Sequence, residues 1–366
     1  MHNELTSGGP PAAVDSQLGD LNQALAAQNM CGLWSRHLSP QPVPKTRAYL
    51  WSWKNVEPLI QRAADTLRLG SGSDGARRAL QFCNPGLPAG TTPTIFGAYQ
   101  YLNPGETAPA HRHTPAAIRF MMSGGSVFTT VDGDACEMAP GDLVLTPAWS
   151  WHDHTSYGDQ PALWFDGIDA PLIAALDTFF VEEHPAGMQP IIGHGVSEKR
   201  FGASGLRDVA TQTVTAGSSS LMRYPYAEVD RTLESIHGAR GGSISSVEYL
   251  NPTNSGPAIA RMTCQMSRLY PEGATVPRRQ TGGQIFVVFR GCGTSVIGGV
   301  QFAWGKGDVF VVPSWVPVEH QATETADLFI VSDRATLETL DLYRSEELTQ
   351  PQQVTGSFST MSTRTP

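Results

Sequence analysis

This 366-residue sequence lacks the features of a membrane-bound or exported protein. It has no run of about 18 apolar residues that could form a membrane-spanning helix. Its start, MHNELTSGGPPAAVDSQ, has neither the basic nor the apolar region of an export signal. The five cysteines are an odd number without a Cys-x-x-Cys pair, which argues against a disulfide framework or a zinc knuckle. We therefore expect a soluble, cytoplasmic chain with no membrane partner.

Positive charge is also scarce. The sequence has 25 Lys and Arg residues against 34 Asp and Glu residues, and its formal net charge is −9. Nucleic acids and anionic membranes are bound by a concentrated basic face that replaces their counterions. No such face is visible in the sequence, so we expect no nucleic-acid partner.

Residues that form tight turns are abundant, with 37 glycines and 27 prolines. From about residue 93 onwards, turn signals such as NPG, SGG and DGD separate short apolar runs such as IFGAYQYL, AAIRFMM and VFTTV. Asp132-Gly133 is typical of a two-residue type I′ hairpin turn. These patterns predict an all-β fold for most of the chain.

One stretch of this pattern occurs twice. PGETAPAHRHTPAAIRFMMSGGS begins at Pro104, and PEGATVPRRQTGGQIFVVFRGCG begins at Pro271. The alignment continues with APGDLVLTPAWSWHDH from Ala139 and GKGDVFVVPSWVPVEH from Gly305. Such an internal repeat predicts two similar β-barrels, and the length of the chain suits two domains of roughly 100–200 residues each.

The sequence predicts five regions. An N-terminal helical arm at 1–70 contains one helix that Asp15 would cap and a second from about Asn55 to Leu69, both indicated by apolar residues at helical spacing. The first barrel is predicted at 71–185, a polar connection at 186–245, and the second barrel at 246–345. The remaining tail, 346–366, is expected to be disordered beyond about residue 350.

Three histidines of the first repeat form a candidate metal site. His111 and His113 face the same side of a strand, because side chains alternate along it. His152 follows at the end of another strand, where a barrel could bring it to the same interior point. Surface or core histidines are the alternative interpretation. In the second repeat, however, all three are replaced together, by Arg278, Gln280 and Val318. This coordinated loss favours one metal site and a metal-free second barrel.

The motifs around these histidines resemble the cupin family. The pattern is His-x-His, then Pro-Gly-Asp, then the stretch Pro147-Ala148-Trp149-Ser150-Trp151-His152. The resemblance implies a bicupin with two jelly-roll barrels. Cupins often carry a glutamate shortly after the second histidine, but residues 115–118, PAAI, supply no carboxylate. We therefore expect three neutral imidazoles and open metal positions, which suit catalysis better than a structural zinc site closed by four protein ligands.

Longer segments resemble the gentisate 1,2-dioxygenase group, which includes salicylate, 5-nitrosalicylate and 1-hydroxy-2-naphthoate dioxygenases. The resemblance covers nearly the whole chain and implies Fe(II), an aromatic hydroxy-acid substrate, O₂ and a homotetramer. Iron follows from the resemblance, because copper or zinc would bind imidazoles more tightly than ferrous iron. The matching segments are ARRALQFCNPGL (76–87), YQYLNPGETAPAHRHTPAAIRF (99–120), PGDLVLTPAWSWHDH (140–154), LWFDGID (163–169) and GDVFVVPSWVP (307–317).

The resemblance implies that Arg77 and Arg119 approach the substrate carboxylate. Arginine suits this role because its planar guanidinium pairs bidentately with carboxylates. Six residues separate Arg119 from His113, an even spacing that keeps both on one face of an unbroken strand. Beside Arg77, the neighbouring Arg78 is an alternative inward-facing residue.

Further pocket residues follow from the same resemblance. His154 is expected to bond or deprotonate a substrate hydroxyl. Because the second repeat keeps a histidine at the aligned position, a structural role for His154 is the alternative. Asp166 is expected to orient Arg119 or His154, and Gln100 and Ala98 are expected to line the pocket.

The implied reaction is cleavage of a hydroxybenzoate ring between the carboxyl-bearing C1 and the hydroxyl-bearing C2, with gentisate as the favoured substrate. Salicylate, 5-nitrosalicylate and 1-hydroxy-2-naphthoate are the alternatives within the group. An oxygenase acting on a thiol or diketone would not need the two arginines. A double-cupin binding or storage protein would need no matched metal ligands.

Overall fold

The computed structural model describes residues 12–36, 38–67, 69, 78–201 and 221–359. The chain divides into two compact units, Met1–Val43 and Pro44–Pro366. Among the described residues, no helix has the length and apolar character needed to cross a membrane.

The first unit contains helix α1 (Ala12–Ala27) and a 3₁₀ turn (Leu33–Ser35). Within it, the Nε1 of Trp34 donates a hydrogen bond to the side-chain oxygen of Asn22 at 3.1 Å. The helix was predicted, but its start was not, because α1 begins before the expected cap at Asp15. Alanine has the highest helix propensity, so Ala12 and Ala13 extend the helix beyond this residue.

The described residues of the second unit form 24 strands and five helices. The first group of elements is β1 (Tyr49–Trp51), α2 (Trp53–Thr66), β2 (Ala79–Gln81), β3 (Phe96–Leu102), β4 (Thr107–His113), β5 (Ala117–Ser123), β6 (Val127–Val131), β7 (Asp134–Glu137), β8 (Leu143–Thr146), β9 (His152–Ser156), β10 (Ala162–Ile168), α3 (Ala170–Ala175), β11 (Val181–Glu183), β12 (Gly193–His194), α4 (Val196–Phe201) and β13 (Arg223–Tyr224). The second group is α5 (Tyr226–Arg240), β14 (Ile244–Glu248), β15 (Thr263–Leu269), β16 (Arg278–Gln280), β17 (Gln284–Arg290), β18 (Cys292–Ile297), β19 (Val300–Gly305), β20 (Val309–Val312), β21 (Val318–Ala322), β22 (Ala326–Ser332), α6 (Arg334–Thr339), β23 (Ser345–Glu347) and β24 (Gly356–Ser357).

Each barrel consists of two six-stranded sheets. In the first barrel the orders are β13-β8-β5-β10-β3-β2 and β11-β4-β9-β6-β7-β12. In the second they are β1-β20-β17-β22-β15-β14 and β23-β16-β21-β18-β19-β24. The two barrels therefore have the same strand order, which confirms the all-β bicupin fold predicted from the repeat.

Each barrel is completed by a strand from outside its repeat. β1 pairs with β20 of the second barrel, although about 250 residues separate them. β13, from the region between the repeats, pairs with β8 of the first barrel. The predicted arm and connection thus each contribute a strand to a barrel, and the predicted domain bounds remain a prediction.

Two aspartates hold these added segments in equivalent ways. Asp308 accepts a hydrogen bond from the backbone N–H of Trp53 at 2.7 Å, and Asp142 accepts one from Tyr226 at 2.8 Å. Both tryptophan and tyrosine stand at the first residue of a helix, α2 or α5, where backbone N–H groups have no partner within the helix. The Gly-Asp turns of the repeat therefore also anchor α2 and α5.

The barrels share a large apolar core. Phe120 of the first barrel and Phe329 of the second stack with their ring centroids 4.2 Å apart. The hydroxyl of Tyr99 donates to the carbonyl of Gly307 at 2.9 Å. Separate apolar clusters fill the interior of each barrel. The two barrels are consequently packed against each other within one compact unit.

Two local predictions had different outcomes. Asp132 and Gly133 have φ values of 47° and 87°, as a type I′ turn requires, and they join β6 to β7. The prediction of disorder beyond residue 350 was wrong for the described part of the tail. There β24 pairs with β19, and Phe358 stacks on Phe302 at 4.6 Å, because the tail supplies an edge strand and an aromatic side chain.

Candidate metal centre

Two neighbouring strands bring the three predicted ligands together. His111 and His113 lie on β4, and His152 is the first residue of β9. The strands are antiparallel, and His111 is directly opposite His152. The ligand nitrogens of the three histidines lie within 4.8 Å of one another. The sequence prediction of a three-histidine cluster in the first barrel is therefore confirmed.

Hydrogen bonds orient two of these imidazoles. The Nδ1 of His113 lies 2.7 Å from the carbonyl oxygen of Pro115, and the Nδ1 of His152 lies 3.0 Å from that of Ser150. Since a carbonyl oxygen only accepts hydrogen bonds, both Nδ1 atoms carry the proton. Each Nε2 then keeps its lone pair for a metal, and a bond of this kind is the usual support of a metal-binding histidine.

The donor set fits a catalytic divalent ion. No carboxylate belongs to the cluster among the described residues, as the sequence PAAI at 115–118 predicts. Three neutral imidazoles leave the charge of the ion uncompensated and leave coordination positions for other ligands. A structural zinc ion, by contrast, is normally closed by four protein ligands.

A cavity of about 180 Å³ lies against the three histidines. Its polar wall includes three of the predicted residues, Gln100, Arg119 and Asp166. Its other lining side chains are mostly apolar: Ala79, Phe96, Pro115, Ile168, Ala170 and Phe179. The cavity can therefore hold a ligand with a polar end and an apolar body beside the metal.

Arg119 and Asp166 form a buried ion pair in this wall. The Nε of Arg119 lies 3.7 Å from Oδ1 of Asp166, and only 2% and 4% of the two side chains is exposed. Arg119 also donates to the hydroxyl of Thr146, while Asp166 accepts a hydrogen bond from Nε1 of Trp164 at 3.0 Å. Burial lowers the pKa of Arg119, and the charge of Asp166 opposes this shift. The charge of Asp166 thus supports the positive charge of Arg119 within this buried wall.

His154 does not border the cavity among the described residues. It is fully buried. Its Nδ1 lies 2.9 Å from the hydroxyl of Thr129, and its ring centroid is 6.2 Å from that of His152. Two residues along a strand advance by roughly 7 Å, so the same face does not mean the same depth.

The structure does not place the other predicted contact residues at the cavity. Ala98 is buried directly opposite Asp166 but does not border the cavity among the described residues. Arg77 lies outside the described residues. Arg78 is buried in an ion pair with Glu106, and its Nε donates to the carbonyl of Leu67 at 3.0 Å. Arg78 is therefore occupied elsewhere and does not supply the second cavity arginine.

The apolar part of the cavity was missed at the level of the sequence. Phe96 and Ile168 are register partners at the ends of β3 and β10. Each is an even number of residues from a predicted pocket residue, Gln100 or Asp166, so strand alternation could have found them. Phe179 follows α3 outside any strand, and no periodic pattern in the sequence indicates its position.

Arg112 faces away from the metal ligands, as strand alternation predicts. It pairs with Glu182 at 2.6 Å, and its guanidinium lies over the rings of Trp149 and Trp151 at 4.3 and 4.6 Å. The second barrel has the same arrangement, in which Arg279 pairs with Glu346 at 2.5 Å and lies 4.7 Å over Trp315. The outward-facing arginine thus makes the same kinds of contact in both repeats.

Comparisons with known proteins agree with this architecture. Residues 98–168 match the family model of the cupin domain. A gentisate 1,2-dioxygenase from Streptomyces sp is 37% identical over 320 residues, which cover 84% of this chain and 88% of the relative. A 5-aminosalicylate 1,2-dioxygenase from Comamonas sp is 34% identical over 363 residues, covering 95% of this chain and 96% of the relative. The crystal structure of a mutant salicylate 1,2-dioxygenase from Pseudoaminobacter salicylatoxidans in complex with gentisate matches with a TM-score of 0.86 and 32% identity, covering 96% of this chain and 99% of that chain.

The two like barrels, and the three-histidine cluster that the described residues form in the first of them, define a bicupin with a candidate metal centre. Together with relatives that match over most of their length, they show that the chain belongs to the gentisate 1,2-dioxygenase group of ring-cleaving dioxygenases.

Proposed function

We propose that the protein is an Fe(II)-dependent dioxygenase that opens the ring of gentisate between the carboxyl-bearing C1 and the hydroxyl-bearing C2. The observation that carries this proposal is a carboxylate-free cluster of three histidines beside a cavity with a buried arginine. Relatives named for gentisate and for substituted salicylates support the substrate class.

His113 and His152 would hold the iron through their Nε2 atoms, and His111 would supply a third imidazole nitrogen. The bound ion would supply a centre on which an aromatic hydroxy acid and O₂ meet and exchange electrons. The chain itself would orient the aromatic acid and exclude water. The apolar residues Phe96, Ile168 and Phe179 suit both tasks because they border the cavity beside the ligands.

Arg119 is proposed to bind the substrate carboxylate. Its guanidinium borders the cavity, and Asp166 and Thr146 hold it in place. Because Asp166 already balances one positive charge, a second cation would strengthen carboxylate binding, and Arg77 is the proposed source. Gln100 would add an amide on the same wall.

His154 is proposed to accept a hydrogen bond or the proton from a substrate hydroxyl. Thr129 occupies its Nδ1, so Nε2 would be the atom involved. This role requires access from the cavity to a ring that lies 6.2 Å from the ring of His152. A shifted pH profile of turnover in His154→Gln, with iron content unchanged, would support the role.

Oxygen uptake by the iron-loaded protein tests the proposed function. The substrate panel would contain gentisate, salicylate, 5-aminosalicylate, 5-nitrosalicylate and 1-hydroxy-2-naphthoate. We expect turnover of gentisate and loss of both bound iron and turnover in His111→Ala, because two imidazoles cannot replace the three-ligand site. His194→Ala is the matched control, since His194 is exposed and lies on the edge strand β12, three strands from β9 in the same sheet.

Each outcome of the panel decides a separate part of the proposal. Turnover of another hydroxybenzoate in place of gentisate would correct the substrate and keep the chemistry. Turnover that survives His111→Ala would contradict the metal site. We also propose that the enzyme is a cytoplasmic homotetramer. Sedimentation of the purified enzyme tests its oligomeric state. The five cysteines are all free, as in proteins of reducing compartments.

A further inference from the structure

The second barrel contains a cavity that the proposed reaction does not use. Its volume is about 440 Å³, against about 180 Å³ for the cavity at the three histidines. Sites for small organic ligands occupy roughly 300–1,000 Å³ and combine apolar walls with a few polar groups. The volume of the second cavity therefore suits a ligand of that class.

This cavity lies where the first barrel has its metal centre. Arg278 on β16 is directly opposite Val318 on β21, as His111 is opposite His152 in the first barrel. Arg278, Val318 and Gln280, the three replacements of the metal ligands, all border the cavity. The second barrel has thus lost the metal ligands but kept an internal space at their position.

Within Arg278–Gln280, the two inward positions differ from the first barrel and the outward position does not. Arg279, between Arg278 and Gln280, keeps the ion pair and the aromatic contact that Arg112 makes in the first barrel. The outward arginine is thus retained, while the inward positions carry a guanidinium and an amide in place of two imidazoles.

Arg278 gives the cavity a positive charge. It forms no ion pair within the described part of the chain, although Glu347, its register partner on β23, borders the same cavity. Arg334, a second cation on the wall, is already paired with Glu338 at 2.7 Å. His320 adds no charge at neutral pH, because burial, with the nearby charge of Arg278, lowers its pKa to about 4.

Gln280 and two serines supply hydrogen-bonding groups. The hydroxyl of Tyr343 donates to Oε1 of Gln280 at 3.3 Å, which leaves the Nε2 donor for a ligand. Ser246 and Ser267 border the cavity on neighbouring strands, and their hydroxyl oxygens lie 2.7 Å apart. A guanidinium and an amide donor on adjacent inward positions suit a carboxylate.

One side of the wall is apolar, at the positions where the first barrel has its ion pair. Phe286 and Ile330 are register partners, as Arg119 and Asp166 are in the first barrel. Leu328 also borders the cavity beside them. A ligand that fits here has one anionic end and an apolar body.

We propose that the second barrel is a binding site for a small aromatic or alicyclic carboxylic acid. Its carboxylate would pair with Arg278 and Gln280, and its ring would pack against Phe286 and Ile330. This site is distinct from the metal centre, and the inference goes beyond the proposed function without depending on it.

Calorimetric titration of the iron-loaded, full-length protein under anaerobic conditions tests the proposal, with benzoate as the probe and uncharged benzamide as its isostere. We expect Arg278→Gln to weaken benzoate binding at one site by about tenfold or more, because a charge-assisted pair becomes a neutral hydrogen bond. Arg279→Gln is the matched control and should leave binding unchanged, since Arg279 faces the opposite side of the same strand. Arg278 is exposed, so its replacement should not disturb folding.

A crystal soaked with 4-bromobenzoate locates the site independently through the anomalous signal of bromine. Bromine between Phe286 and Ile330, together with loss of that site in Arg278→Gln, would support the proposal. Three outcomes would overturn it: benzoate bound only at the histidines, a second site that survives Arg278→Gln, or benzamide binding as tightly as benzoate. Failure of every substrate in the oxygen-uptake panel would leave this test intact, because it measures binding in the other barrel.

Discussion

Replacing Asp166 by asparagine isolates the charge of the buried ion pair at the cavity. The substitution keeps the size of the side chain and an oxygen that can accept from Trp164. Arg119 is only 2% exposed. Among the described residues, its side-chain partner would then be the neutral hydroxyl of Thr146. We expect the variant to be less stable and to bind the substrate anion more tightly, because the carboxylate of the substrate replaces the lost counter-charge.

The geometry sets the size of both effects. Two unit charges 3.7 Å apart attract by about 4 kcal/mol at an effective dielectric constant of about 20. Because the pair borders a cavity that admits water, screening reduces the expected loss in free energy of unfolding to about 2 kcal/mol. If a bound carboxylate recovers most of this energy, substrate affinity should rise by about tenfold.

Urea unfolding of the purified protein measures the first effect, and anaerobic calorimetry with the substrate found by oxygen uptake measures the second. Asp159→Asn, at an exposed aspartate, is the control for the loss of one carboxylate. The double variant of Arg119→Met with Asp166→Asn should be more stable than Asp166→Asn alone, since no unpaired charge remains. A stability change below about 0.5 kcal/mol in Asp166→Asn would refute the reasoning, because that is the range of surface substitutions.

Two further predictions concern stability. The pKa of His320 is about 4 when folded against 6.5 normally, so the unfolded chain binds a proton first as pH falls. The free energy of unfolding should therefore decrease between about pH 6.5 and pH 4, by up to about 3 kcal/mol. Urea titrations of His320→Gln should lack this part of the decrease. If the free energy of unfolding fell equally with pH in both proteins, the lowered pKa of His320 would be contradicted. Gly307→Ala should destabilise the protein by about 2–4 kcal/mol, because its φ is +86° and the new Cβ would lie 2.7 Å from the ring of Trp53. Gly105→Ala, with φ of +73° and open space around it, measures the backbone cost alone, and an equal loss in both variants would show that contact with Trp53 adds nothing.

Local periodicity made the metal site predictable. Alternation along one strand placed His111 and His113 on the same face, and the repeat showed which histidines vanish together. The same rule correctly turned Arg112 outwards. These predictions succeeded because they depend on neighbours within a few residues or on a direct comparison of two copies of one fold.

Long-range pairing could not be predicted in the same way. β1 is three residues long and pairs with a strand about 250 residues away, so the chain around it carries no signal of its partner. His154 shows a second limit, because alternation gives the face of a residue but not its distance from the cavity. Thr129 and Trp164 pack around His154 and determine its depth, and neither contact is visible in the sequence.

The two barrels separate what the fold requires from what the chemistry requires. His154 persists in the second barrel as His320, and a hydroxyl bonds the Nδ1 of each, at 2.9 Å and 2.7 Å. Arg119 does not persist, since Phe286 takes its place in the register. A side chain that only the proposed reaction needs is not expected in a barrel without the three histidines, and Arg119 has no counterpart there. Part of the role of His154 is therefore packing of the barrel, and His154→Gln should lower stability as well as turnover, whereas Arg119→Met should act mainly on substrate binding.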